Sequence, residues 1–166
     1  NRAEFLKIAL ESHPRIIASR SDADRCFRDV NASDWFSKYV CLAKKRDVVA
    51  GYGDGNFRPE NPVNYAEALK ILSELYDYTA YADADAPWYA IYVQAATNHK
   101  TILPINLPYD RYITRGQMVR LAAAYRAEYE GELDYYRRFE KGEYVVVEEE
   151  VVVEEEEDLE DSPNQP

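Results

Sequence analysis

Several things are missing from this chain of 166 residues, and each absence closes off a class of function. No run of 18 apolar residues occurs, so no segment is long and apolar enough to cross a bilayer as a helix. There is no Walker A loop, no G-x-S-x-G elbow and no H-E-x-x-H helix. Gly51-Tyr-Gly-Asp-Gly superficially resembles a nucleotide loop, but no strand precedes it, and the next helix start, Asn64, lies nine residues past Gly55. Histidine is limited to His13 and His99, far apart and with no Cys or His at ligand spacing. Asp83 and Asp85 hint at calcium, yet such a site takes roughly 6–8 oxygen ligands and no bidentate Glu follows at the loop spacing. The expectation is a chain with no catalytic role, no cofactor and no metal.

A basic surplus is missing too. The formal charge is −11, but residues 143–166 hold 11 Asp and Glu and no Lys or Arg. Of the 31 acids, 20 remain in residues 1–142, against all 20 bases. The body is neutral and offers no basic face for nucleic acid. No signal peptide is visible, and the chain begins at Asn1 without Met, as a processed or excised piece would, so the missing signal says little about location. Only two cysteines occur, Cys26 and Cys41, on either side of a short predicted helix. They are either an extracellular disulfide or two small buried thiols.

What the chain does have is concentrated in residues 27–72. Phe27 and Asp29 lead into a helix with Trp35, Tyr39, Leu42 and Ala43 at helical spacing, which predicts one apolar stripe. A turn follows, with Gly51, Gly53 and Gly55 allowing positive φ and Asp54-Gly55 as a tight-turn pair. Phe57 is placed to fold back as an anchor, and Pro59 and Pro62 end the excursion. Asn64 and Glu67 form a capping box that opens a second helix with Leu69, Ile71 and Leu72.

The pattern recurs. Asn1-x-x-Glu4 repeats the Asn64-x-x-Glu67 box, with Leu6 for Leu69 and Ile8 for Ile71. Tyr81 and Asp83 answer Phe27 and Asp29, Trp88 answers Trp35, and Ala96 answers Ala43. Thr114-x-x-Gln117 is the third box. A period of about 50–54 residues means stacked modules. The predicted divisions are 1–26 (the second half of a first repeat plus connector), 27–80, 81–125, a helical extension 126–142 that continues the last helix past Gly131, and an acidic Val/Glu tail 143–166. For the tail, like-charge clustering favours disorder, with a partner-paired strand as the alternative.

Taken together, F-x-D-V, the Trp, V-x-G-Y-x-D-G-x-F-x-P and the N-x-A-E-A helix start resemble the S-layer homology domain, a wall-anchoring repeat of bacterial surface proteins. The resemblance covers residues 1–10 and 27–125. It implies an all-α fold in which three repeats pack about a pseudo-threefold helical bundle. It also implies a cell-surface location and inter-repeat grooves that take an acidic, often pyruvylated, secondary cell-wall polysaccharide. Carried over by position, Arg2 and Arg115 sit at the basic site of the helix start, where a guanidinium and free first-turn N–H groups would meet an anion. Trp35, Trp88, Gly51 and Asp54 sit at positions that shape the groove. The bland alternatives are solvated arginines, tryptophans wedged in the core and an aspartate that caps a turn. Tyr65 replaces the basic residue in the central repeat, and residues 101–110 have no glycine turn.

A second reading is a self-assembling structural subunit of a surface layer or fibre. An opening half-module would leave Phe5, Leu6 and Ile8 without their own partner helix, and a neighbouring copy with its Val-rich tail could supply one.

Overall fold

The computed structural model describes residues 1–143, and the expectations for the acidic tail lie outside them. Those residues form six α-helices and no strand: α1 Arg2–Ser12, α2 Ser37–Lys45, α3 Tyr65–Leu75, α4 Ala90–Asn98, α5 Arg115–Glu130 and α6 Leu133–Glu140. The fold is all-α, with one isolated antiparallel bridge between Asn64 and Tyr112.

Three helices begin with a closed capping box: Asn1 with Glu4, Asn64 with Glu67, and Thr114 with Gln117. Each box satisfies two first-turn donors that the helix itself cannot pair. These three helices pack against one another. Central among them is α3, which buries Ala66, Ala68, Leu69, Ile71, Leu72 and Leu75 around most of its circumference. Burial of each large aliphatic side chain contributes about 1.5–3 kcal/mol. The polar positions Glu67, Lys70 and Glu74, spaced three and four apart, form its open stripe.

α2 packs on α1, and α4 packs on α3. Phe5 and Leu6 are fully buried inside this single chain, and Ile8 packs on the same core. The expected unpartnered face on α1 is therefore absent at these residues, because α2, α3 and α5 already cover it.

The start of α2 differs from the sequence reading. The helix begins at Ser37 with Phe36 as its N-cap, so Trp35 precedes it and stands 54% exposed. Phe36 fills the core position instead, followed by Val40 and Ala43 at helical spacing. α4 starts at Ala90 with Tyr89 as its N-cap, so Trp88 precedes its helix as Trp35 precedes α2.

The helix after Thr114 is not continuous to residue 142. Gly131 takes the left-handed conformation (φ 79°) and ends α5. Its N–H donates to Glu128 O, while the Glu132 N–H donates to Ala127 O at 2.7 Å, a Schellman closure. Leu133 then packs on Ala124 and Ala127, folding α6 back along α5.

Cys26 and Cys41 form a disulfide with Cα atoms 5.5 Å apart, which ties the segment before Phe27 to α2. Closing a 15-residue separation is worth about 3 kcal/mol in the unfolded chain. Reduction is therefore expected to lower the unfolding free energy by about that amount. Denaturant titrations with and without reductant would measure it, and coincident curves would contradict the assignment of a stabilising bond.

Candidate functional site

The turn between α2 and α3 is set by local chemistry. α2 closes through Asp47 at φ 59°, and the Val48 N–H returns to Ala43 O at 2.9 Å. That bond directs Val48 and Val49 into the core. Gly51 follows at φ 73°, a conformation that strains any L side chain. A Cβ there would also run into the Phe27 ring and come 2.8 Å from Asn56 O. Tyr52 N–H donates to Asn56 O at 2.8 Å, and Gly55 N–H donates to Tyr52 O at 2.9 Å. Asp54 accepts the Asn56 N–H at 3.0 Å and pairs with Arg58 at 3.0 Å, and these bonds hold its carboxyl below the usual range. At the far end Asp29 accepts N–H bonds from Phe57 and Arg58 at 2.8 and 2.7 Å. Phe57 thereby drops into the core against Phe27.

The start of α1 abuts this turn. Arg2 N–H donates to Asn61 O at 2.9 Å and Ala3 N–H to Pro59 O at 3.0 Å. The Arg2 side chain is buried, with the residue only 7% exposed. Its Nε donates to Phe57 O at 3.1 Å, and its guanidinium carbon lies 5.1 and 4.8 Å from the Tyr52 and Phe57 ring centroids. Nη1 meets Glu67 Oε1 at 3.4 Å. Glu67 is itself fixed, because its other oxygen accepts the Asn64 N–H at 3.0 Å.

Beside this assembly runs a groove of about 260 Å³, lined by Arg2, residues 48–52, Glu67, Lys70, Ile71 and Trp88. It brings together pieces from α1, the glycine turn, α3 and the approach to α4. Apolar walls with a few convergent polar groups are the ordinary form of a small-ligand site. Trp88 is 57% exposed and stands edge-on to Tyr89 at 5.7 Å, so its indole is held while part of it reaches solvent. The combination suits an apolar sugar face set beside an acidic substituent.

Among the sequence-predicted residues, Arg2, Gly51 and Trp88 meet in this groove. Asp54 does not; it braces the turn. Trp35 is exposed but lies outside the groove, packed edge-on against Phe36 at 5.4 Å. Neither tryptophan is the buried core wedge. Arg115 does not line the groove; it is solvent-exposed and 3.8 Å from Glu4. The first-turn amides of α1 are not free for an anion at Arg2 and Ala3, since Asn61 and Pro59 carbonyls occupy them.

Tyr65, at the position matching Arg2, turns inward. It stacks on Tyr109 (5.7 Å, 17°), and its hydroxyl accepts the Leu103 N–H at 2.9 Å. Burial pushes the phenol up to about 12, so it stays neutral. An aromatic stack thus fills the place where the first groove has a guanidinium. Sequence reasoning missed Lys70, Tyr52 and Glu67 as groove residues. The signal for Lys70 and Glu67 was present as the lone polar stripe on an otherwise buried α3.

These features define a helical module with a groove shaped by the glycine turn. Residues 27–69 match the S-layer homology domain family. It is similar to the "Middle cell wall protein" of Brevibacillus brevis, at 30% identity over 78 residues, 46% of this chain and 7% of that one. It is also similar to the "Surface layer protein" of Brevibacillus choshinensis, at 36% over 78 residues with the same coverage. A "Cell surface protein" of Thermoanaerobacter kivui shares 28% over 92 residues, 55% of this chain and 11% of that one. The chain therefore spans only a small part of the curated relatives it matches. No solved structure matches it. The domain and these relatives place the chain at the extracellular cell surface.

Proposed function

We propose that this chain is a non-catalytic wall-anchoring module that binds an acidic secondary cell-wall polysaccharide in the groove of Arg2, Gly51, Lys70 and Trp88. One observation carries the reading: four sequence-distant segments converge on a pocket that pairs an exposed indole with cationic side chains. We read residues 1–26 as the second half of a first repeat plus connector and 27–80 and 81–125 as the next two repeats, so the groove lies where the first meets the turn of the second and the Trp of the third. The Tyr65–Tyr109 stack supports a single working groove rather than several. Arg115 is a secondary candidate at most, given its pairing with Glu4 and its place outside the groove lining.

The test is co-sedimentation of the full 166-residue chain with cell-wall sacculi, before and after chemical removal of the secondary polysaccharide. Binding is expected to intact sacculi and to disappear on removal. Equal sedimentation with both preparations, or with neither, would overturn the proposal.

A further inference from the structure

The groove contains two cations, and the structure separates their roles. Arg2 is spoken for. Its Nε is tied to Phe57 O at 3.1 Å, its guanidinium is set against two rings, and its charge faces Glu67 at 3.4 Å. Glu67 cannot swing away without breaking the cap of α3, because it holds the Asn64 N–H while its own N–H donates to Asn64 Oδ1 at 2.8 Å. An incoming anion therefore meets a pair whose charges cancel, and detaching Arg2 from Glu67 would leave a half-buried carboxylate unpaired.

Lys70 stands one helical turn beyond Glu67 on the same open stripe of α3 and lines the same groove. It has no ion-pair partner among the described residues; its ammonium lies 5.9 Å from the Tyr92 ring centroid. Tyr92 in turn donates its hydroxyl to Glu74 at 2.8 Å, so the ring is anchored by α3 and forms a fixed wall beside the lysine stem. Counting Arg2, Glu67 and Lys70, the groove carries one net positive charge, and Lys70 supplies it.

We propose that Lys70 is the residue that selects an anionic glycan, while Arg2 is a positioning residue that joins α1 to the glycine turn and α3. This rests on the wall-anchoring reading and refines it. The ligand it implies carries one acidic group per bound unit, placed within a lysine's reach of a sugar face on Trp88. A neutral glycan of the same shape would lose the charge-assisted contact and keep the rest.

The probe is the soluble secondary polysaccharide released from sacculi, titrated against the full chain. Lys70→Gln is expected to weaken binding roughly tenfold or more, the scale of one hydrogen bond to a charged group. It should also remove most of the salt dependence, read between about 0.05 M and 1 M salt, where screening is nearly complete. Lys70→Arg should restore both. Arg2→Gln should lower the unfolding midpoint, which Lys70→Gln should leave unchanged. If Lys70→Gln binds within about twofold of the parent with the same salt dependence, the assignment to Lys70 is overturned while the anchor reading stands. If the parent chain itself binds nothing, both fall.

Discussion

Phe57→Ala is expected to destabilise the chain by about 3–5 kcal/mol, the usual range for deleting a fully buried aromatic. The position justifies the upper part of that range. Phe57 is completely buried, packs on Phe27 at 5.5 Å, and lies beneath the Arg2 guanidinium. Its backbone is pinned on both sides, by Asp29 on its N–H and by Arg2 on its carbonyl. The surroundings therefore cannot collapse into the space left behind. Domains of this size are stable by only about 5–15 kcal/mol, so the loss would consume much of the total. Tyr81→Ala is the comparison, since Tyr81 is 82% exposed, and it should change stability by less than about 0.5 kcal/mol. Denaturant unfolding followed by far-ultraviolet circular dichroism measures both. A Phe57→Ala effect under about 1 kcal/mol would mean that the turn is not anchored as described.

Trp88→Ala is expected to weaken binding to the released polysaccharide about 30-fold, corresponding to about 2 kcal/mol for an aromatic hot spot. Stability should barely move, because the side chain is more than half exposed. Trp35→Ala makes a matched control. Trp35 has nearly the same exposure and the same edge-on contact with the aromatic residue that follows it. It does not line the groove. Its removal should leave affinity unchanged. Equal losses from the two substitutions would point to a diffuse surface effect and not to the groove.

The parts of the fold written in short local signals were legible from sequence. All three capping boxes were readable because a cap needs only four consecutive residues. Phe57 was readable as an anchor because a glycine turn and two prolines frame it. The register of α2 was not. Trp35 and Phe36 are adjacent, and either one starts an apolar series that continues at helical spacing. The choice fell to Phe36 through tertiary packing that leaves Trp35 in solvent. Gly131 posed a similar ambiguity. Glycine costs a helix only about 1 kcal/mol, so propensity alone allowed continuation. The stop came from the left-handed cap together with Leu133 finding Ala124 and Ala127.

The groove was legible only in fragments. Arg2, Gly51 and Trp88 each sit at a position with local character, but nothing local says they meet. Arg115 shares the helix-start pattern of Arg2 and ends up exposed beside Glu4. Its difference from Arg2 is the absence, among the described residues, of a glycine turn against its helix start. Lys70 drew no attention as one lysine among many. Its meaning appears only once α3 is seen to be buried on nearly every other side.

The central claim is that ligand binds beside Trp88. With two tryptophans in the chain, the indole N–H region of a proton–nitrogen correlation spectrum holds two signals, assigned with Trp88→Ala. Titration of the full chain with released wall polysaccharide should shift the Trp88 indole signal and leave that of Trp35 in place. A shift of Trp35 with Trp88 unmoved, or saturation binding that moves neither, would contradict the account.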